Sequence, residues 1–249
     1  MDKQQSWQRT LSWVVVFSIA MGFLETAVVI YLRRIYYPYG FSFPLAPIDP
    51  STAFIEVGRE VATVVMLIGI GVIAGRTLSS RFAYFILSFA VWDIFYYIFL
   101  KILIDWPDSW MTWDILFLIP VTWIGPVIAP VIISVTMTAM ALLIIINEGK
   151  GKVVSIDWIV WILLIIGSLV LIVSFVWDYT SYMLSYFSFK EIWSAPGNND
   201  LFEKAYSYIP RSFNWKLFSL GELIIISGII KITYSVGIIR FKRVKKVSD

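Results

Sequence analysis

Apolar residues gather into six long runs, at about 11–32, 53–75, 82–104, 121–146, 158–177 and 215–238, separated by shorter polar or proline-containing breaks. Each run approaches or exceeds the roughly 20 residues that an α-helix needs to cross a hydrocarbon core. The pattern predicts an all-α, polytopic membrane bundle of six transmembrane helices in one integral domain, 1–249. An even number of crossings places both termini on one side.

Charge selects the side. The segments assigned to the inner face carry Lys3, Arg9, Arg76, Arg81, Lys150 and Lys152, and the tail adds Arg240, Lys242, Arg243, Lys245 and Lys246. This positive-inside bias predicts cytoplasmic termini in a cytoplasmic-type (inner) membrane, with the tail against anionic lipid headgroups. Tryptophans mark both interfaces, Trp7, Trp13, Trp158 and Trp161 inside and Trp106, Trp110, Trp113, Trp177, Trp193 and Trp215 outside, leaving Trp92 and Trp123 internal. The first run carries Glu25 and no small-residue cleavage site, so it is expected to be a span and not a secretory leader.

The outer connections are long. In 178–213, Tyr179, Tyr182, Met183, Tyr186, Phe187 and Trp193 recur at near-helical spacing, predicting a helix lying in the interface. Asp200 and Glu203 have the spacing of a capping box, predicting a second short helix. In the fourth run Pro120, Pro126 and Pro130, beside Gly125, remove backbone donors, so that helix is expected to be kinked or broken in its outer half. Gly71 and Gly75 predict close helix packing in the second run.

Composition agrees with a membrane class: 59% of residues are apolar and 15% charged, and mean hydropathy is +0.80. The basic residues form no surface suited to nucleic acid. The chain has neither cysteine nor histidine, which excludes thiolate nucleophiles, imidazole bases and Cys- or His-ligated metals. No metal site is expected, and any chemistry must use Asp, Glu, Lys, Arg, Tyr, Ser, Thr or an exogenous cofactor of unknown kind.

Ionisable residues inside spans are costly and normally face the bundle interior. Glu25, Glu60, Asp93 and Glu222 fall at similar depths, roughly 10–15 Å below the outer ends of four runs at 1.5 Å per residue. At 100° per residue, Glu56, Glu60 and Thr63 share a face with Arg59 at its edge, and Asp93, Tyr97 and Lys101 form another stripe. Arg59 and Lys101 are the expected internal counter-charges, with Arg33 and Arg34 available from above. Lys231 lies opposite Glu222 on its helix and is expected to point away and snorkel, which sets aside a retinal-type Schiff base.

These residues support three readings. The first is a proton-coupled transporter or channel-like protein for a small cation or organic amine, bound among Glu25, Glu56, Arg59, Glu60, Asp93, Tyr97, Lys101 and Glu222 beneath outer aromatics. The second is a membrane-embedded enzyme acting on a lipid-linked substrate at the outer leaflet. The spacing of Glu56 and Glu60 around Arg59 is similar to carboxylate pairs in membrane enzymes of polyprenyl phosphates, but the serine-arginine loop and histidine of those enzymes are absent. The third is a non-catalytic subunit or assembly factor whose ion pairs only fix helix packing. Membrane lipids are the partners common to all three.

Overall fold

The computed structural model describes residues 3–119, 121–193 and 199–245. Its elements run α1 (Lys3–Tyr36), α2 (Pro50–Ala74), α3 (Leu78–Ile104), β1 (Trp113–Phe117), β2 (Trp123–Pro126), α4 (Ile128–Gly149), α5 (Trp158–Leu184), α6 (Phe189–Trp193), α7 (Asn199–Tyr206) and α8 (Trp215–Lys245). Six of these helices, α1 to α5 and α8, contain stretches long and apolar enough to cross a membrane. The chain is a multi-pass helical membrane protein, and its exposed large apolar residues, such as Phe54, Val61, Ile68 and Ile73 on α2, are suited to lipid contact.

Local chemistry fixes several helix ends. Asp49 caps α2, accepting from the Thr52 N–H at 3.0 Å and the Thr52 hydroxyl at 2.6 Å, with Pro50 opening the first turn. The Tyr36 hydroxyl donates to the same carboxylate at 2.8 Å, tying the end of α1 to the start of α2. Thr77 and Ser80 form a capping box that opens α3. Asp157 caps α5 through the Val160 N–H at 2.9 Å.

Helix α3 is the hub, packing against α1, α2 and α4, while α5 packs mainly on α8. Two glycines let α2 approach α3. A Cβ at Gly75 would lie 2.3 Å from the backbone nitrogen of Arg81, and one at Gly71 would lie 2.7 Å from the Arg81 carbonyl oxygen. The largest core cluster joins α3, α4, α5 and α8 through residues such as Leu87, Ile144, Leu164 and Ile225.

The fourth run departs from expectation. Its first residues are not a kinked helix but the second strand of an antiparallel hairpin that pairs Asp114 with Gly125 and Ile115 with Ile124, with a bulge between Ile115 and Phe117. Pro126 closes β2, and Pro130 sits in the first turn of α4, where no intrahelical N–H is required of it. Gly125 serves packing instead of kinking, since a Cβ there would lie 2.7 Å from the Phe175 ring.

The loop 178–213 also differs. Tyr179, Tyr182 and Met183 continue α5, so this helix runs to Leu184 and the expected separate interfacial helix is reduced to the five residues of α6. Asp200 lies inside the first turn of α7 and does not precede it. Pro120, Lys246 and the side chains of Trp193 and the basic tail lie outside the described part of the structure.

Two outcomes follow. Gly71→Val forces an added side chain against α3 backbone and is expected to destabilise the protein by about 1–3 kcal/mol, read from its unfolding midpoint in micelles. The hydrogen bonds from the Thr52 hydroxyl, the Thr52 N–H and Tyr36 pull the Asp49 carboxyl down from 3.8 to about 2. Its folded value lies below its unfolded one, so the cap's contribution is full above pH 3.8 and is lost as pH falls through about 2. An Asp49→Asn variant should lack that acid-dependent component when thermal unfolding is followed across this window.

Candidate functional site

The second helix brings Glu56, Arg59 and Glu60 onto one face by i, i+3, i+4 spacing. Arg59 Nε donates to Glu56 at 2.8 Å, and Arg59 Nη1 donates to both oxygens of Glu25 on α1, at 2.7 and 2.5 Å. Helices α1 and α2 otherwise touch little, so this three-residue ion cluster is their principal bridge.

Glu60 does something different. Both of its oxygens accept from the Leu118 N–H, each at 3.0 Å, just beyond β1. From Pro50 to Glu60 is about 15 Å along α2, so the hairpin descends well into the bundle. Phe117 at its tip meets Phe89 and Trp92 of α3, with ring centroids 6.1 and 6.3 Å away, and Trp123 at 5.5 Å.

The hairpin is anchored above by Asp114, which accepts from Arg33 Nη2 and from the Tyr97 hydroxyl, both at 3.2 Å. The Arg33 guanidinium sits over the rings of both Trp106, at 3.8 Å, and Phe41, at 4.6 Å. Asp93 accepts from Ser134 of α4 at 2.8 Å.

These groups surround a cavity of about 600 Å³, within the usual range for a ligand pocket. Its charged lining, Glu25, Arg33, Glu56, Arg59, Glu60, Asp93 and Asp114, is gathered in the half nearer the hairpin. The other half is walled by Phe82, Phe85, Phe89, Met137, Met140 and Leu164. Lining residues of α3 extend from Phe82 to Tyr97, about 22 Å of helix.

Of the residues expected at the site, Glu25, Glu56, Arg59, Glu60, Asp93 and Tyr97 all line this cavity. Lys101 does not. It is half-exposed (51%) and pairs with Asp105 at 2.7 Å while donating to the Asp105 and Pro107 carbonyls, so it closes the end of α3 and is not an internal counter-charge. Glu222 is buried and accepts from Thr136 at 2.9 Å, joining α8 to α4, and is not among the lining residues. Lys231 pairs with Asp157 at the start of α5, away from the cavity.

Asp114 was missed because it lies in what reads as an outer loop. The signal available was the alternation of Trp113, Ile115 and Phe117 about it, the period of a strand. Among the described residues no group of three carboxylates converges as a metal site. Comparison with family models, with curated proteins and with solved structures gives no match to this chain, and its function is read from its own geometry.

The Glu60 contact sets an expectation. Glu60→Ala leaves the half-buried Leu118 N–H without its charged acceptor and should cost about 1–3 kcal/mol in unfolding free energy. Glu60→Gln keeps a carbonyl oxygen in place and should recover most of that loss in the same unfolding measurement.

Proposed function

We propose that this protein takes a single-chain membrane amphiphile into the bundle, its apolar chain along α3 and its head group at the hairpin end of the cavity, among Arg33, Arg59 and Glu60, and acts on it or moves it there. The observation that carries this is the polarity of the cavity: its charged lining lies toward the hairpin, and the remaining wall is mainly aromatic and aliphatic, with the Ser168 hydroxyl among it. A path for a bare ion or proton would need polar steps through that second half. An apolar chain is matched to it, and about 22 Å of lined helix covers much of a hydrocarbon core roughly 30 Å thick.

The lysines and arginines of the termini and of the 76–81 and 147–157 connections support placing the hairpin end outside and both termini in the cytoplasm. The ligand then belongs to the outer leaflet of a cytoplasmic-type membrane, which favours the lipid-linked reading of the sequence. A second reading, an organic amine as cargo, is favoured by the composition of the head-group end, where five acids face Arg33 and Arg59.

Thermal unfolding in maltoside micelles tests the proposal. Hexadecylphosphate or hexadecylamine should stabilise the wild type, by about 2.7 kcal/mol at a hundredfold excess over Kd, whereas butyl analogues with the same heads should do little. Met137→Trp, which fills the apolar half, should abolish the shift. Equal stabilisation by long and short chains would sink the amphiphile reading and leave a small-ion site in its place.

A further inference from the structure

The wall of the cavity is served unevenly. Every lining carboxylate already accepts a hydrogen bond: Glu25 and Glu56 from Arg59, Glu60 from Leu118, Asp93 from Ser134, and Asp114 from Arg33 and Tyr97. The donors are not all placed. Arg33 Nη1 and the indole N–H groups of Trp92 and Trp123 are buried without an acceptor, and all three side chains line the cavity. Arg33 and Trp92 are only 9% and 6% exposed. Among the described residues the buried side-chain oxygens left unpaired, Glu222 Oε1 and Thr180 Oγ1, belong to residues outside that lining.

Buried donors are normally satisfied, and a charged one is the most costly to leave unmade. Arg33 has little freedom to find a protein acceptor. Asp114 holds Nη2 on one side, and the rings of Trp106 and Phe41 cover the guanidinium. Trp92 and Trp123 flank Phe117, so their free N–H groups belong to the region of the hairpin tip.

Resting on the amphiphile reading, we propose that the ligand's head is an oxyanion, a phosphate monoester or a carboxylate, with one oxygen accepting from Arg33 Nη1. The indoles of Trp92 and Trp123 supply donors to further oxygens of the head or of its linkage to the chain. An arginine that keeps one nitrogen free beside a fixed carboxylate is well suited to this class, because guanidinium matches oxyanion geometry. An ammonium head leaves all three donors unmet and competes for carboxylates already engaged.

Titration of the full-length protein in maltoside micelles with hexadecylphosphate, hexadecylamine, hexadecanol and inorganic phosphate tests this. Hexadecylphosphate is expected to bind at least about tenfold more tightly than the amine or the alcohol, the scale of one hydrogen bond to a charged group. The double variant Arg33→Gln/Asp114→Asn, which leaves no lone buried charge, should lose about that factor for the phosphate and leave hexadecanol binding unchanged. Trp123→Phe keeps the ring, removes the N–H and should weaken the phosphate a few-fold without harming the fold. Tighter binding of the amine, or phosphate binding indifferent to both variants, overturns the oxyanion assignment while the amphiphile reading stands. Inorganic phosphate binding as tightly as hexadecylphosphate overturns the amphiphile reading and leaves the oxyanion assignment. Binding of no probe overturns both.

Discussion

A peptide group that leaves a helix inside an apolar bundle must find its hydrogen-bond partner within the protein, because the surrounding hydrocarbon offers none. The segment between α3 and α4 meets that requirement with a hairpin whose strands satisfy each other, and with Glu60, which reaches across from α2 to take the Leu118 N–H beyond β1. Asp114 and Arg33 tie the same segment to α1. Once the hairpin is held at that depth, it lines the hollow beside α3 together with Arg59 and its two carboxylates. Burying the charged residues is therefore inseparable from burying non-helical backbone.

The charges divide between two tasks. Arg59, Glu25 and Glu56 join α1 to α2, two helices with little other contact. Arg33 and Asp114 position the hairpin, with Tyr97 as a neutral third member. Neither group fills the space between them, and the aromatic and methionine wall below them carries no charge. The outcome is an amphipathic interior, polar toward the hairpin and apolar beyond it, inside a bundle whose outer surface is itself largely apolar.

Much of this was legible in the chain. Long apolar runs locate the six helices because length and hydropathy are sufficient for a membrane span. The i, i+3, i+4 spacing of Glu56, Arg59 and Glu60 foretold a shared face, because helical geometry is local. The hairpin was not legible as such. Its prolines, strand residues and glycine continue directly into α4, so a hydrophobicity window merges them with the helix. Lys101 has the right angle on α3 to face inward, but it lies one turn from the helix end, and the Asp105 carboxylate and local carbonyls capture it. Trp92 and Trp123 stood out as tryptophans far from either interface, and both prove to line the cavity. What they face depends on tertiary contacts that spacing alone does not encode.

The uneven way the helices associate has a mechanical consequence. Helices α5 and α8 interlock at Gly167 and Gly221, where each glycine lets the opposite backbone approach. Their contacts with α4 and the hairpin are sparse beside this, and α5 walls one side of the hollow through Leu164, Leu171 and Phe175. A small rigid tilt of this pair would change the girth of the hollow while preserving the glycine seam. The ion cluster on α1 and α2 belongs to the other half and would keep its geometry. The width of the hollow and the geometry of that ion cluster are thus set by separate parts of the molecule, so that one can vary without the other.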